Sequence, residues 1–256
     1  MSVLERFRLD GRTALVTGCR RGIGRGIARA LAQAGADIVG VSAHMEATGS
    51  DIAADVEGAG RRFFSYTCDL SQRQEVHDFV GRVHHDGHPV DILVNNAGII
   101  PRKPAVDHDD ETWDRTVEVD LNVPYVLARE FGRGMLARGW GRILFTASVL
   151  SFQGGITVPS YAAAKGGLIQ VARALANEWA GQGVNVNCIA PGYIETDITK
   201  ALRDDPNRYG PITARIPAGR WGRPEDLEGA AVFLCSDAAA YVHGATLLVD
   251  GGWMGR

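Results

Sequence analysis

A hydroxyl, a phenol and an ammonium stand within eighteen residues of one another: Ser148, Tyr161 and Lys165, in the stretch SVLSFQGGITVPSYAAAK. Tyr161 and Lys165 are four apart in an Ala-rich segment of helical character, so both project from one helix face. Ser148 follows the β-rich apolar run RILFTA, residues 142–147. Together the three groups are suited to moving a proton to or from a substrate oxygen. A tyrosine with a pKa of about 10 is a poor base at neutral pH, and a neighbouring cation favours its phenolate. A pKa lowered by about two would represent roughly 2.7 kcal/mol. The serine can hold the reacting oxygen in place. A surface tyrosine lying over a solvated lysine would show the same spacing, so the pair gains meaning only from the rest of the chain.

The elements that must position these groups follow from hydrophobic periodicity. Residues 13–16 are an apolar run that ends in TGCRRGIG (17–24), after which Ile23, Ile27, Ala30, Leu31 and Ala34 keep helical spacing until Gly35. Strand, glycine turn and helix together offer backbone N–H groups and a helix N-terminus to a phosphate. Gly18, Gly22 and Gly24 make a G-x-x-x-G-x-G turn, not the G-x-G-x-x-G of the usual dinucleotide fingerprint, and a purely structural turn would look alike. A second strand, DIVGV (37–41), is followed by Ser42 and Ala43 where many NAD-binding units place an acid on the ribose 2′-hydroxyl. Arg20 and Arg21 either approach a 2′-phosphate instead or are simply solvated. A third strand over 62–67 leads to Asp69 and Leu70, and Asp69 could accept an adenine amino group or cap the next helix.

A fourth strand (91–94) runs into NNAG, whose Asn96, Ala97 and Gly98 suit close backbone approach to a flat ring, with asparagine side chains tying neighbouring strands together. Trp113, Val117, Leu121, Leu127 and Phe131 predict one long helix over 111–138. A fifth strand delivers Ser148, the Tyr161 helix runs on to Gly181, and a sixth strand (184–190) enters PGYIETDI. Residues 199–222, with Pro206, Pro211 and Pro217, read as a mobile lid or substrate loop. A helix from Pro224 and a last strand over 247–250 follow. Alternating strands and helices predict a single α/β domain: a doubly wound parallel sheet, helices on both faces, ligands outside the carboxyl ends of the strands. Every motif named above lies at such an end.

Composition narrows the function classes. A length of 256 residues, 45% apolar and 22% charged, suits one soluble domain with a large core. A net charge of −3 gives no reason to expect nucleic acid or an anionic membrane as partner. Cys19, Cys68, Cys188 and Cys235 form no C-x-x-C pair, so reduced thiols are expected and no metal. MSVLERFRLDGR lacks the apolar region of a secretory signal. The longest uncharged run, 143–164, contains Ser, Thr, Gln, paired glycines and a proline, and reads as strand, loop and helix start rather than a membrane span. A cytoplasmic protein is expected.

TGCRRGIG, Asp69, NNAG, Ser148, Tyr161 with Lys165, and PGYI (191–194), in that order, cover nearly the whole chain, and with them it resembles the classical short-chain dehydrogenases/reductases. The resemblance implies a Rossmann-type sheet of seven parallel strands that binds NAD or NADP. It implies Tyr161 as general acid/base, Ser148 orienting the substrate oxygen, and Lys165 holding the ribose while lowering the tyrosine pKa. The coenzyme would be held by Gly18, Arg20, Arg21, Gly22, Ile23, Gly24, Asp69, Leu70, Asn96, Ala97, Gly98, Tyr161, Lys165, Pro191, Gly192, Ile194 and Thr196. Such enzymes are usually homotetramers, in which the helix starting near Glu111 and the Tyr161 helix pack on one partner and the last strand makes a second contact.

One departure concerns the fourth catalytic residue common in that family, an asparagine in the long helix that anchors a water. In VEVDLNVP the equivalent position is Asp120, and Asn122, two residues on, points elsewhere. Asp120 keeps an acceptor oxygen but adds a charge, so an altered pH profile is expected. Within the family, SFQGG (151–155), NEWA (177–180), IPAGRWG (216–222) and VDGGW (249–253) look like the dehydrogenases of small sugar acids of the 2-keto-3-deoxygluconate and 2-deoxygluconate type, a likeness that suggests NAD. Ser148, Gln153 and Tyr161 would then meet substrate, with Arg215, Arg220 and Arg223 either available to a carboxylate or simply solvated on the surface. GCRRGIG and PGYIETDIT resemble the 3-oxoacyl-carrier-protein reductases, which would favour NADPH and a basic docking patch from Arg20, Arg21, Arg25 and Arg29. A catalytically silent nucleotide-binding protein on the same fold is the third reading.

Overall fold

Strands buried on both faces read as unbroken apolar runs, and TALVT, ILVN, GRILFT and VNVNCIAP are buried along their whole length. The computed structural model describes residues 2–46 and 49–256. Its strands are β1 Thr13–Thr17, β2 Asp37–Ser42, β3 Phe63–Thr67, β4 Ile92–Asn95, β5 Gly141–Thr146, β6 Val184–Pro191 and β7 Thr246–Val249. They form one seven-stranded sheet in the order β3-β2-β1-β4-β5-β6-β7, every pair parallel. The expected doubly wound sheet is therefore present.

The helices are α1 Gly22–Gln33, α2 Asp51–Gly58, α3 Arg73–His85, α4 Asp110–Val117, α5 Val123–Arg138, α6 Pro159–Trp179, α7 Lys200–Arg203, α8 Pro206–Arg215 and α9 Glu228–Cys235. One core cluster joins the sheet to α3, α5 and α6 through Phe79, Phe131, Phe145 and Leu168. The second joins the opposite face to α1, α2 and α9 through Ile27, Leu31, Ile52 and Leu234. Each such side chain, taken fully out of water, contributes roughly 1.5–3 kcal/mol before chain entropy is set against it.

Two stretches differ from the expected elements. The long helix over 111–138 is interrupted by a π-helical turn, Glu118–Asn122, between α4 and α5. Pro124 has no N–H to give the carbonyl four residues back, that of Asp120, and the wider turn accommodates its ring. The 199–222 stretch, expected as a loop, contains α7 and α8. Pro206 opens α8 at a position where its missing N–H costs nothing. Leu202, Ile212, Ile216 and Trp221 bury themselves against Val149 and Trp253 as a third cluster. The prolines suggested loop; the apolar residues between them supply the anchor.

Candidate active site

The sheet changes winding direction between β1 and β4, since β1 is followed by β2 on one side and pairs with β4 on the other. That reversal leaves a crevice at the carboxyl ends of the strands. A cavity of about 400 Å³ opens there, and its wall contains every residue expected to hold the coenzyme together with Ser148. Thr17 at the end of β1 ties the two halves together: its Oγ1 accepts the N–H groups of Asn96 and Ala97, both at 2.9 Å, and Asn96 Nδ2 donates to the Thr17 carbonyl at 3.0 Å.

The glycine turn is shaped for close approach. Gly18 adopts φ +67°, in the left-handed region that favours glycine. A Cβ on Gly24 would lie 2.3 Å from the Gly18 carbonyl oxygen. Gly24→Ala should therefore displace the turn and weaken coenzyme binding by about tenfold or more, a change fluorescence titration with NADPH would detect. No side chain caps the start of α1, so its first N–H groups are available to an anion. These features fit a dinucleotide. Arg20 pairs with Glu46 at 3.0 Å and Arg21 with Asp197 at 2.7 Å, both at the cavity rim beside Ser42, Ala43 and His44. Asp69 does not cap α3, whose N-cap is Gln72. Its Oδ1 instead accepts the Ser71 N–H at 2.9 Å and hydroxyl at 2.8 Å, and these bonds to Ser71 hold its carboxyl below the usual range.

Tyr161 and Lys165 come from the first turns of α6, which Pro159 opens. Lys165 is buried; its Nζ donates to the Thr146 carbonyl at 2.9 Å and lies 5.5 Å from the centre of the Tyr161 ring. Ser148 heads a 3-10 turn, Val149–Ser151, that is clipped onto the same helix. Ser151 Oγ accepts the Ser148 N–H at 3.2 Å and donates to the Lys165 carbonyl at 2.8 Å. Burial, the largest cause, leaves the Tyr161 phenol above its usual value rather than lowered as expected; Asp120 adds to the rise, while Lys165, the Ser148 hydroxyl and Arg102 favour the phenolate. The three expected catalytic groups are thus brought together on one wall.

Asp120 sits in the π turn, wholly buried, outside the cavity wall. Its Oδ1 accepts the Ile99 N–H at 2.8 Å, and its Oδ2 is 3.5 Å from Lys165 Nζ. Gly98 makes room for it, since a Cβ there would lie 2.8 Å from Asp120 Oδ2. Asn122 does point elsewhere, donating to Glu118 at 2.9 Å.

A second cavity of about 120 Å³ shares Ser148 and Tyr161 with the first and is walled by Arg102, Arg208, Tyr193 and Ile156. Burial and the neighbouring Arg208 push the Arg102 pKa down. Among the described residues neither arginine is in a salt bridge. Sequence reasoning did not select this pair; the only signal was an arginine four residues beyond Gly98. Of the residues it did select for substrate, Ser148 and Tyr161 line this cavity, while Gln153, Arg215, Arg220 and Arg223 lie elsewhere. Gln153 is outside both walls and its Oε1 accepts the Trp253 indole N–H at 3.0 Å. Arg215 lies over the Trp253 ring at 4.0 Å, and Arg220 grips Asp226 with two bonds of 2.7 and 2.8 Å. The Arg223 N–H also donates to Asp226, at 2.7 Å.

A nucleotide-shaped crevice beside a Ser–Tyr–Lys proton group defines an oxidoreductase acting on a CH–OH group with a nicotinamide coenzyme. A family model described as enoyl-(acyl carrier protein) reductase matches residues 18–254, and the chain belongs to the short-chain dehydrogenase/reductase family. It is 59% identical to the 2-dehydro-3-deoxy-D-gluconate 5-dehydrogenase of Pseudoalteromonas atlantica over 99% of this chain and 100% of that one. The gluconate 5-dehydrogenase of Burkholderia cenocepacia, solved with NADP and tartrate, superposes with a TM-score of 0.93 at 38% identity, covering 100% of both chains. The 3-oxoacyl-[acyl-carrier-protein] reductase of Escherichia coli is 40% identical over 95% of this chain and 97% of its own.

Proposed function

We propose that the protein catalyses reversible hydride transfer between NAD(P) and a secondary alcohol of a small sugar acid, with 2-keto-3-deoxygluconate as the first substrate to test. The observation that carries this reading is the second cavity. It sets two arginines without carboxylate partners, Arg102 and Arg208, beside Tyr161 and Ser148, as a substrate with a carboxylate at one end and a reacting hydroxyl at the other requires. The Pseudoalteromonas relative supports the same substrate class.

In the oxidation direction the Ser148 hydroxyl holds the substrate oxygen and the Tyr161 phenolate takes the alcohol proton. A nicotinamide held in the first cavity would supply the hydride acceptor for the same carbon. In reduction Tyr161 returns the proton to the oxygen. Lys165 favours the phenolate and would hold the ribose, while the glycine turn and the α1 N-terminus would receive the pyrophosphate. Arg20 and Arg21, at the cavity rim, are the cations a 2′-phosphate would meet on exchanging their carboxylate partners, and NADP is the coenzyme bound by the Burkholderia protein. Arg20→Ala and Arg21→Ala should each raise KM for NADP about tenfold and leave KM for NAD nearly unchanged, since each removes a charge-assisted bond worth roughly 1.5 kcal/mol.

The test is the absorbance of reduced coenzyme with 2-keto-3-deoxygluconate and either NAD or NADP. A steady rise supports the reading; a flat trace with both coenzymes rejects that substrate and turns attention to 3-oxoacyl thioesters with NADPH. The carrier-protein reading is weakened because all four arginines of the expected patch are paired, Arg20 with Glu46, Arg21 with Asp197, Arg25 with Asp51 and Asp55, and Arg29 with Glu225 and Glu228, and a patch already neutralised gives an acidic protein partner little to grip. The silent-protein reading is disfavoured by the assembled Ser148, Tyr161 and Lys165.

A cytoplasmic homotetramer is part of the same proposal. Among the described residues no helix is long and apolar enough to cross a membrane. Trp113 on α4, Tyr125 on α5 and Leu248 on the edge strand β7 are all about two-fifths exposed, which suits burial against further copies. Light scattering should give a mass four times that of the chain.

A further inference from the structure

We propose that Asp120 is a positioning residue which, by its own charge and by compensating Lys165, sets the pH at which Tyr161 exchanges its proton. The proposal rests on the dehydrogenase reading only in giving Tyr161 that task.

Asp120 and Lys165 are both buried charges, and each lacks the hydration that would otherwise stabilise it. One Asp120 oxygen is satisfied by the Ile99 N–H; the other makes no hydrogen bond and faces the Lys165 ammonium at 3.5 Å. Burial, the largest cause, raises the Asp120 carboxyl above its usual value, while Lys165 and the Ile99 N–H pull it down. With an ammonium facing one oxygen and an N–H on the other, the geometry favours the carboxylate form. Lys165 then presents Tyr161 with one half of a neutral pair rather than an uncompensated cation.

The groups that face Tyr161 from the surrounding elements are few. Lys165 comes from its own helix, Asp120 from the π turn, the Ser148 hydroxyl from the turn after β5, and Arg102 from the segment after β4. Only Asp120 among them favours the neutral phenol through its charge. It does not line the cavity, and its charge partner is Lys165 at 3.5 Å, so it biases Tyr161 by its own charge and by compensating the Lys165 ammonium. The position depends on tertiary details: the π turn displaces Asp120 from regular helical register, and Gly98 leaves the space its carboxylate occupies.

Asp120→Asn keeps the oxygen that accepts the Ile99 N–H and removes the charge. Alcohol oxidation rises with pH as the phenolate forms, so a lower Tyr161 pKa moves the rising limb to lower pH. A downward shift of about one pH unit is expected, with a correspondingly faster rate below the limb. Asp120→Ala, which also loses the Ile99 contact, should shift the limb in the same direction even where kcat falls. The free protein supplies a readout that needs neither substrate nor turnover. Near-ultraviolet phenolate titration, taken as the difference between Asp120→Asn and Asp120→Asn/Tyr161→Phe, should show Tyr161 ionising at lower pH than the corresponding difference for the unsubstituted chain. An unmoved or upward-moved Tyr161 titration overturns the proposal, whatever substrate the enzyme takes. A lowered kcat with the limb in place would mark Asp120 as merely structural, and overturns it equally.

Discussion

Tyr161→Phe is expected to lower kcat for alcohol oxidation by roughly 10³-fold, the range a positioned general acid/base supplies. The substitution removes one oxygen and keeps the ring against which Lys165 lies. Coenzyme binding, which depends on the glycine turn, the α1 N-terminus and the strand-end loops, should change little. Because the lost interaction is the proton exchange itself, kcat and kcat/KM should fall together. Stopped-flow mixing with saturating coenzyme and substrate, beside fluorescence titration of NADPH, separates the two. Turnover within tenfold of the unsubstituted enzyme would remove Tyr161 from the proton path and leave Lys165 or water to carry it.

Arg102→Met should cost roughly 30–100-fold in kcat/KM for a sugar acid, equivalent to about 2–2.7 kcal/mol for a lost charge-assisted bond. The native protein holds Arg102 half-buried beside Arg208, and burial first, then the repulsion from Arg208, lowers its pKa. It donates to the Ile198 carbonyl at 3.3 Å and to no carboxylate among the described residues. Such a cation gains most from an incoming anion and loses little stability on replacement by an apolar side chain of similar length. The decisive comparison is with a neutral alcohol of the same carbon skeleton. The variant should handle the two substrates almost alike, whereas an equal loss on both would show that Arg102 shapes the cavity without reading charge.

The residues that sequence patterns revealed share one property: their meaning is local. Gly18, Gly22 and Gly24 sit within one turn, Tyr161 and Lys165 within one helical turn, and Asn96 to Gly98 directly after β4. Patterns of that range survive without knowledge of the fold, and all of these residues line one cavity. Gln153 was selected from the SFQGG stretch that resembles the sugar-acid dehydrogenases, yet its neighbour in space is Trp253, a hundred residues away. The 199–222 stretch was read from its prolines as loop, while Trp221 and Ile212 find Val149 and Trp253 to pack on. Asp69 looked equally able to cap α3, and only its bonds to Ser71 exclude that role.

What the sequence alone determined is therefore the alternation of strand and helix, the glycine spacing after β1 and the placing of Tyr161 and Lys165 on one helix face, because hydrophobic period, glycine spacing and helical i,i+4 geometry act over a few residues. Only the tertiary structure decided which charges meet. It neutralised Arg25 and Arg29, set Arg102 opposite Arg208, and brought Asp120 of the π turn against Lys165 of α6. Those encounters depend on the order of the strands and on how helices pack across the sheet, and Coulomb interactions act over the distances that result, not over separation along the chain.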